Sequence, residues 1–242
     1  MDMKRRDGRA CDTLRPIEII PGVNEFAEGS VLIKCGSTHV WITASVEERV
    51  PPHVPEGEGW VTAEYNMLPR ANRSRSRRDI SKLKLNGRSA EIQRLIGRSL
   101  RAAVDMKKLG PRQITIDCDV LQGDGGTRTA SITGGYVALA LAVRTLMERG
   151  LVTENPLIHQ VAAISAGIVH DTPMLDLQYY EDSAAQVDLN CVMTEDGQLI
   201  EIQGTGEGRA FTLEEQQELI RLCAKGIREL NARQSAVIGG AT

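Results

Sequence analysis

The sequence contains few aromatic side chains and no long hydrophobic run. Phenylalanine, tyrosine and tryptophan make up 3% of the 242 residues, which argues against a nucleic-acid-binding protein built on aromatic stacking platforms. The longest apolar stretch, residues 136–143, is much shorter than the roughly 20 residues of a membrane-spanning helix. The charged N-terminus is not followed by the apolar core of a signal peptide. We therefore expect a cytoplasmic protein without a membrane partner.

Cysteine and histidine are scarce and scattered. None of the five cysteines forms a C-x-x-C pair, and the four histidines show no H-x-x-x-H spacing, so neither a disulfide framework nor a zinc site is predicted. Hydrophobic residues (41%) and charged residues (25%) occur at the levels of an ordinary folded protein, which excludes a disordered chain. The length suits one large domain, and we expect residues 1–242 to form it.

Charge is distributed unevenly along the chain. The net charge is −3, yet residues 70–88 hold eight basic residues and one acid, so this basic segment carries +7 and the remainder carries −10. Six of the eight basic residues are arginine, the better bidentate ligand of phosphate. A solvated loop would explain a charge run by itself. The excess of arginine, and the helix that follows, favour a surface for a polyanion.

Hydrophobic periodicity predicts three helices. The clearest spans residues 88–106, where Ile92, Leu95 and Ile96 begin one apolar stripe. A second helix opens after a glycine-rich turn, extends through residue 147 and is apolar nearly all round, so we expect it to be buried. A capping box of Thr212 and Glu215 predicts the start of a final helix that reaches about residue 230, followed by a tail that frays from about residue 232.

Short runs of β-branched and alternating apolar residues predict the strands. Two or more strands precede each helix, which is typical of an α+β fold with mixed sheets packed against helices. The predicted strands span residues 30–34, 40–46, 60–66, 114–120, 161–170, 174–179, 187–193 and 198–203.

The glycine-rich turn of residues 123–128 is a candidate anion site. It lies between a strand and a helix start, where glycine lets amide groups converge on an anion and the helix dipole favours negative charge. Thr127 adds a hydroxyl group and Arg128 a guanidinium group. The turn is neither a Walker loop nor a G-x-G-x-x-G turn, because Arg128 stands where the third glycine belongs. The alternative is an ordinary glycine-rich connection, and Thr-Arg at the helix start favours phosphate.

Four acids in the second half form a candidate catalytic group: Asp176, Glu181, Asp182 and Asp188. If residues 187–193 form a strand, Asp188 and Asn190 share one face of it. Two carboxylates entering one site can hold Mg²⁺ or act as acid and base. The alternative for such a spacing is a set of solvated acids on an exposed turn.

These segments resemble the ribonuclease PH family along the whole chain. The similarity lies in long strings, which make coincidence negligible. They include R-x-D-G-R-A-x-D-x-L-R-P at residues 5–16, G-R-x-x-E-I-Q-R-L-I-G-R-S-L-R-A at 87–102, D-C-D-V-x-Q-x-D-G-G-T-R-T-A-S-I-T-G at 117–134 and E-D-S-x-A-x-x-D-x-N at 181–190. The resemblance implies a ribonuclease PH domain, a fold like domain 2 of ribosomal protein S5, assembled as a homohexameric ring from a trimer of dimers.

The resemblance also implies an activity. The family removes nucleotides from the 3′ ends of RNA, notably tRNA precursors, with inorganic phosphate as co-substrate, and releases nucleoside diphosphates; the reverse reaction adds nucleotides. RNA is the expected polymer and DNA is not. Mg²⁺, or Mn²⁺, is the expected metal.

The matching positions imply residue roles. Phosphate binding falls on Arg88, Gly126, Thr127 and Arg128. Catalysis and the metal fall on Asp182 and Asp188. RNA binding falls on Arg70, Arg75 and Arg78 in a basic loop at about residues 70–86, where Arg77 adds a further positive charge.

The basic loop departs from the family pattern at four positions: Asn72, Arg73, Ser74 and Asn86. These departures leave open which RNA is preferred, and they remove no catalytic residue.

The sequence also allows two other functions. A non-catalytic RNA-binding ring subunit should lack the phosphate arginines or the acids. A hydrolytic metal-dependent nuclease would release monophosphates. That function would explain the acids but not the glycine-rich turn.

Overall fold

A computed structural model describes residues 5–78 and 86–240, and it contains two β-sheets. The first sheet has the order β1-β2-β3-β5-β4 and is antiparallel except where β4 pairs with β5 in parallel. The second is antiparallel throughout, in the order β7-β6-β8-β9. The strands are β1 (Ile17–Pro21), β2 (Gly29–Cys35), β3 (Thr38–Glu47), β4 (Trp60–Met67), β5 (Gln113–Gln122), β6 (Val161–Val169), β7 (Thr172–Leu175), β8 (Val187–Thr194) and β9 (Leu199–Gly206).

The described residues also form five helices. They are α1 (Gly87–Arg101), α2 (Met106–Leu109), α3 (Thr127–Glu148), α4 (Tyr179–Asp182) and α5 (Leu213–Gly240). Of these, α1, α3, α4 and α5 contact the sheets, and this confirms the predicted α+β fold with mixed sheets.

Helix α3 is the central element. It packs on β2 and β3 of the first sheet and on β6 of the second. Gly29 allows the close approach to β2, because a Cβ atom there would overlap the carbonyl oxygen of Ala138. By length and composition α3 could cross a membrane, but 83% of its most apolar window is buried inside the protein. It is therefore the core helix that its all-round apolar sequence predicts.

One hydrophobic core extends from the first sheet to the second. Ile33 and Ile42 of the first sheet, Leu139 of α3 and Leu189 of the second sheet are fully buried members of it. The large share of aliphatic side chains in this core agrees with the scarcity of aromatic residues. Packing on both sides of α3 thus ties the two sheets together.

Two predicted elements end earlier than expected. The helix predicted for residues 88–106 ends at Arg101, and Val104 then forms a β-bridge with Leu157 before α2 begins. The strand predicted for residues 174–179 ends at Leu175, because Asp176 adopts a left-handed conformation with φ 54°. Helix α4 follows and was not predicted, and neither was β1.

The prediction of a frayed tail from about residue 232 is wrong. Helix α5 begins after the predicted capping box, in which Thr212 and Glu215 exchange hydrogen bonds, and continues to Gly240. Gln234 explains the added turns, because its side chain is fully buried and donates to the carbonyl oxygens of Thr133 and Val161 at 2.8 and 2.9 Å. Glutamine is usually exposed, so its sequence position did not indicate an anchor.

Replacing Gln234 with alanine tests this anchor. The variant removes two buried hydrogen bonds to carbonyl oxygens, each of which contributes about 0.5–1.5 kcal/mol. We expect the urea midpoint of Gln234→Ala to fall clearly below that of the wild type. Ser235→Ala, next to it on the exposed side, is the control and should unfold near the wild-type midpoint. Equal midpoints for both variants would mean that the end of α5 contributes nothing to stability.

Candidate active site

A cleft of about 380 Å³ is lined by residues of both sheets, at the point where α1 and α3 begin. Arg77, predicted to bind RNA, lines the cleft, whereas Arg70, Arg75 and Arg78 lie outside its described lining. The cleft brings together all six residues predicted for phosphate binding and catalysis: Arg88, Gly126, Thr127, Arg128, Asp182 and Asp188.

The N-termini of two helices meet at this cleft. Helix α1 begins beside its N-cap Asn86, and α3 begins beside Gly126, which is left-handed with φ 66°. None of the described side chains caps the first turn of α3, so its amide groups are left for an anion. Unsatisfied amides and the helix dipole both favour negative charge there. The sequence predicted the anion site at α3. It did not predict that the N-terminus of α1, where Asn86 Oδ1 accepts from the amide of Arg88, also lies at the cleft.

The carbonyl groups of the glycine turn are held by two side chains. Arg15 Nη1 donates to the carbonyl oxygen of Asp124 at 2.6 Å. The Thr38 hydroxyl donates to the carbonyl oxygen of Gly125 at 2.7 Å and accepts from the amide of Asp124 at 2.9 Å. A carbonyl oxygen repels an anion, so engaging these oxygens with donors lowers that repulsion. The turn is thereby fixed in a form suited to phosphate.

Two of the four candidate acids are structural. Asp176 is 1% exposed and accepts from Arg15 Nη2 at 2.7 Å, and Glu181 accepts from Arg5 Nε at 2.8 Å. Although burial opposes ionisation of Asp176, the Arg15 guanidinium outweighs it and lowers the pKa of that carboxyl group. Both arginines lie in the string at residues 5–16 that resembles the family. The sequence predicted no role for this string. These pairs attach the N-terminal segment to the loop and helix before β8.

The other two acids, Asp182 and Asp188, line the cleft. Asp188 lies on β8 with Asn190 on the same face, as predicted, and Asn190 Nδ2 donates to Asp188 Oδ2 at 3.1 Å. Asp188 Oδ1 is buried and has no hydrogen-bond partner among the described residues. Burial, with the nearby charge of Asp182, raises the pKa of Asp188 to about 6. Burial also raises the pKa of Asp182, against the opposing effect of Arg88 and Arg128.

Two polar contacts in the cleft were not predicted. The hydroxyl groups of Tyr65 and Thr127 lie 2.8 Å apart and form a buried hydrogen bond between β4 and the start of α3. On the other side, Arg128 Nη1 donates to Gln203 Oε1 of β9 at 3.1 Å. Because Gln203 is neutral, this hydrogen bond orients Arg128 without neutralising its positive charge. The sequence predicted no role for Gln203.

The basic segment is attached to α4 by a cation–π contact. The guanidinium groups of Arg73 and Arg6 each lie 4.4 Å from the centre of the Tyr180 ring. Arg73 is one of the departures from the family pattern, and Tyr180 is two residues from Asp182. Residues 79–85 of the basic loop lie outside the described residues.

A second hollow, of about 430 Å³, lies on the face of the first sheet that points away from the core. Glu64, Asp117 and Asp119 line it. Burial, together with the neighbouring Glu64 and Asp119, raises the pKa of Asp117 to about 6. Three carboxyl groups at one site repel a phosphodiester backbone. The cleft, and not this hollow, therefore suits a phosphate-bearing ligand.

Comparison with known proteins shows the family of the chain. The model of the 3′ exoribonuclease family, domain 1, matches residues 13–144, and that of domain 2 matches residues 159–226. Ribonuclease PH of Syntrophomonas wolfei is 53% identical over 238 residues, which cover 98% of this chain and 100% of the relative. Ribonuclease PH of Caulobacter vibrioides is 55% identical over 237 residues, with 98% and 100% covered. The chain belongs to the ribonuclease PH family.

Membership of the ribonuclease PH family at this identity confirms the predicted activity. The protein is a phosphate-dependent 3′→5′ exoribonuclease with RNA as its substrate and inorganic phosphate as its co-substrate. Among solved structures, a chain of the Archaeoglobus fulgidus exosome with RNA bound to the active site is similar with a TM-score of 0.80 and 25% identity, and the match covers 96% of this chain and 93% of that one.

Replacing Asp176 with asparagine tests the buried pair beneath the glycine turn. Removing one partner leaves Arg15 buried without its counter-charge, which costs about 3–5 kcal/mol. Because the folded-state pKa of Asp176 lies below its ordinary value of 3.8, the pair stabilises the protein above about pH 4 and loses this effect as the pH falls below it. We expect the gap in unfolding free energy between wild type and Asp176→Asn, measured in urea, to be large at neutral pH and to shrink in acid.

The matched control is Asp12→Asn. Asp12 pairs with Lys225 at 2.6 Å, but both side chains are about half exposed, and such pairs contribute about 0–1 kcal/mol. A gap for Asp176→Asn no larger than that of the control would show that the Arg15 pair is not a determinant of stability.

Proposed function

We propose that the cleft carries out phosphorolysis at the 3′ ends of tRNA precursors, with the following division of roles. Arg88, Arg128 and the first amide groups of α3 bind inorganic phosphate. Asp182 and Asp188 act at the oxygen that leaves. The observation that carries the proposal is that one cleft combines two helix N-termini and two arginines with a buried pair of acids.

The phosphate site acts by position and charge. Phosphate held by Arg88, Arg128 and the turn amides is oriented toward the last phosphodiester of the RNA, and the cations offset the repulsion between the two anions. A phosphate oxygen forms a new bond to the terminal phosphorus while the bond to the 3′ oxygen of the preceding nucleotide breaks. The products are a nucleoside diphosphate and an RNA shorter by one nucleotide.

The acids serve the leaving 3′ oxygen, which must gain a proton. Asp188, with a pKa of about 6 set by burial and by Asp182, remains partly protonated near neutral pH. A carboxyl group with such a pKa can give up and recover a proton at working pH. Asn190 and the strand geometry of β8 hold Asp188 toward the cleft.

In its ionised form the acid pair fits a divalent cation, and the ion is then the alternative to a proton at the leaving oxygen. Asp188 Oδ1 is a buried oxygen without a hydrogen-bond partner among the described residues, and Asp182 lies close enough to raise the Asp188 pKa. Carboxylate oxygens are the ligands that Mg²⁺ and Mn²⁺ prefer. Asp182 and Asp188 would hold the ion, which would neutralise charge that develops on phosphate and 3′ oxygens.

RNA would reach the cleft along the basic segment. Arg70, Arg75 and Arg78 are exposed, and Arg77 leads from them into the cleft. Guanidinium groups bind phosphate oxygens without reading bases, which suits an enzyme that shortens its substrate one nucleotide at a time.

We also infer the setting in which the protein works. The continuous core between the two sheets supports one folding unit, and the likeness to a chain of an archaeal exosome supports an oligomer, which we propose to be a homohexamer built as a trimer of dimers. Cytoplasmic localisation follows from the expected substrate, since tRNA precursors are trimmed inside the cell.

A product assay with an Arg128→Ala variant tests these roles. A 3′-extended, labelled tRNA precursor is incubated with Mg²⁺, with and without inorganic phosphate. We expect the wild type to trim it only with phosphate and to release nucleoside diphosphates. Loss of one positioned donor lowers turnover by about 10²–10³-fold, so Arg128→Ala should trim slowly, with a raised KM for phosphate and nearly unchanged RNA binding.

Arg149→Ala is the matched control for that assay. Arg149 follows the last turn of the same helix, α3, 21 residues from Arg128, which is about 30 Å along the axis. It should trim like the wild type. Phosphate-independent release of monophosphates would identify a hydrolase, and RNA binding without trimming would identify a binding subunit. Equal loss of RNA binding and trimming in Arg128→Ala would contradict the division of roles.

The contact between Tyr180 and Arg73 predicts a separate effect on RNA. Removing the ring in Tyr180→Leu releases the basic segment from α4. The single cation–π contact to that segment, from Arg73, is worth about 0.5–1 kcal/mol, which corresponds to roughly 2–5-fold. We expect the KM for the tRNA precursor to rise within that range and the KM for phosphate to stay unchanged. Tyr180→Phe keeps the ring and should behave as the wild type. If Phe and Leu are equally impaired, the hydroxyl group and not the ring is responsible.

A further inference from the structure

Three potential metal ligands meet at the opposite end of the second sheet from the cleft. His159 precedes β6, while Glu195 and Asp196 lie in the turn between β8 and β9. One ligand atom from each of the three residues lies within 4.8 Å of the others. Glu195 is seven residues beyond Asp188, which is about 23 Å along an extended strand. This cluster is therefore separate from the candidate active site.

The imidazole of His159 carries a nitrogen that the protein leaves unsatisfied. Nδ1 is buried and has no hydrogen-bond partner among the described residues. The nearest carboxylate oxygen, Glu195 Oε1, is 3.8 Å away, which is too far for a hydrogen bond. A metal ion bonded to a nitrogen and an oxygen at about 2.0–2.2 Å can span such a separation.

Hydrogen bonds to Gln160 fix the position of Glu195. Its Oε2 accepts from the backbone amide of Gln160 at 2.7 Å, and its own amide donates to the carbonyl oxygen of Gln160 at 3.0 Å. The Gln160 side chain in turn donates to Gln234 Oε1 at 2.8 Å on α5. One carboxylate oxygen is thus fixed while the other faces His159, the arrangement in which hydrogen bonds orient a metal-binding carboxylate.

We propose that His159, Glu195 and Asp196 bind one divalent transition-metal ion, for which Zn²⁺ is the best fit. An imidazole nitrogen with two carboxylate oxygens suits Zn²⁺ better than Mg²⁺, which prefers oxygen ligands alone. Three protein ligands leave a fourth tetrahedral position for water. The ion links the segment before β6 to the β8–β9 turn. His159 lies 36 residues before Glu195 in the sequence, so no local motif reveals the site.

Calorimetric titration with Zn²⁺ tests this assignment. The titration uses the full chain with Asp188→Asn, so that the acid pair of the cleft does not bind the ion. We expect one Zn²⁺ per chain, a higher thermal midpoint with Zn²⁺, and little competition from Mg²⁺. On the same background His159→Ala and Asp196→Asn should each weaken Zn²⁺ binding by at least about tenfold and abolish the thermal shift.

His53→Ala is the matched control, because His53 is an exposed histidine outside the cluster. It should bind Zn²⁺ like its parent. Thermal midpoints without metal establish that each variant is folded. Unchanged Zn²⁺ binding in His159→Ala would overturn the proposal, as would no measurable binding by the parent. Equal binding of Mg²⁺ and Zn²⁺ would also overturn it, because that result describes an oxygen-only site at the two acids.

Discussion

The guanidinium group of Arg15 is the contact on which the active-site architecture depends. It joins Asp176 in a buried ion pair and also donates to the carbonyl oxygen of Asp124 in the glycine turn. One side chain therefore connects the N-terminal segment, the start of the core helix and the loop that leads to α4. Because each of these segments carries or positions a residue of the cleft, the anion-binding turn and the acid pair are held in one frame. Arg5 reinforces that frame through Glu181.

The cleft separates charges that serve different purposes. Arg128 donates to the neutral Gln203 and lies 3.9 Å from the exposed carboxylate of Glu91, so its charge is only loosely countered, whereas Arg5 and Arg15 pair closely with buried acids. The acids divide in the same way. Asp176 is kept ionised by its partner, and Asp188 is made a weaker acid by burial. Arginine and aspartate thus hold the structure together in one environment and are available for a ligand or a proton in another.

Local patterns in the sequence predicted the glycine turn, the core helix and the shared face of Asp188 and Asn190, because each depends on residues close together in the chain. The contacts that hold them were not predictable in this way. The Arg15–Asp176 and Arg5–Glu181 pairs join residues 161 and 176 positions apart, and no periodicity reports such a pairing. Gln234 was missed because glutamine is usually exposed. The Tyr180 contact was missed because a cation–π pair leaves no pattern in the sequence.

The long separation within the ion pairs has a consequence for biosynthesis. Arg5 and Arg15 are synthesised 176 and 161 residues before their partners Glu181 and Asp176. Closing a loop of this length carries an entropic cost that only late native contacts can offset. The segment that carries Arg5 and Arg15 can therefore dock only after residues 176–181 have been made, and until then the nascent chain lacks the frame that orders its glycine turn. An unfinished chain that ends before residue 176 has neither the ordered glycine turn nor the acid pair, and we expect it to show no phosphorolysis.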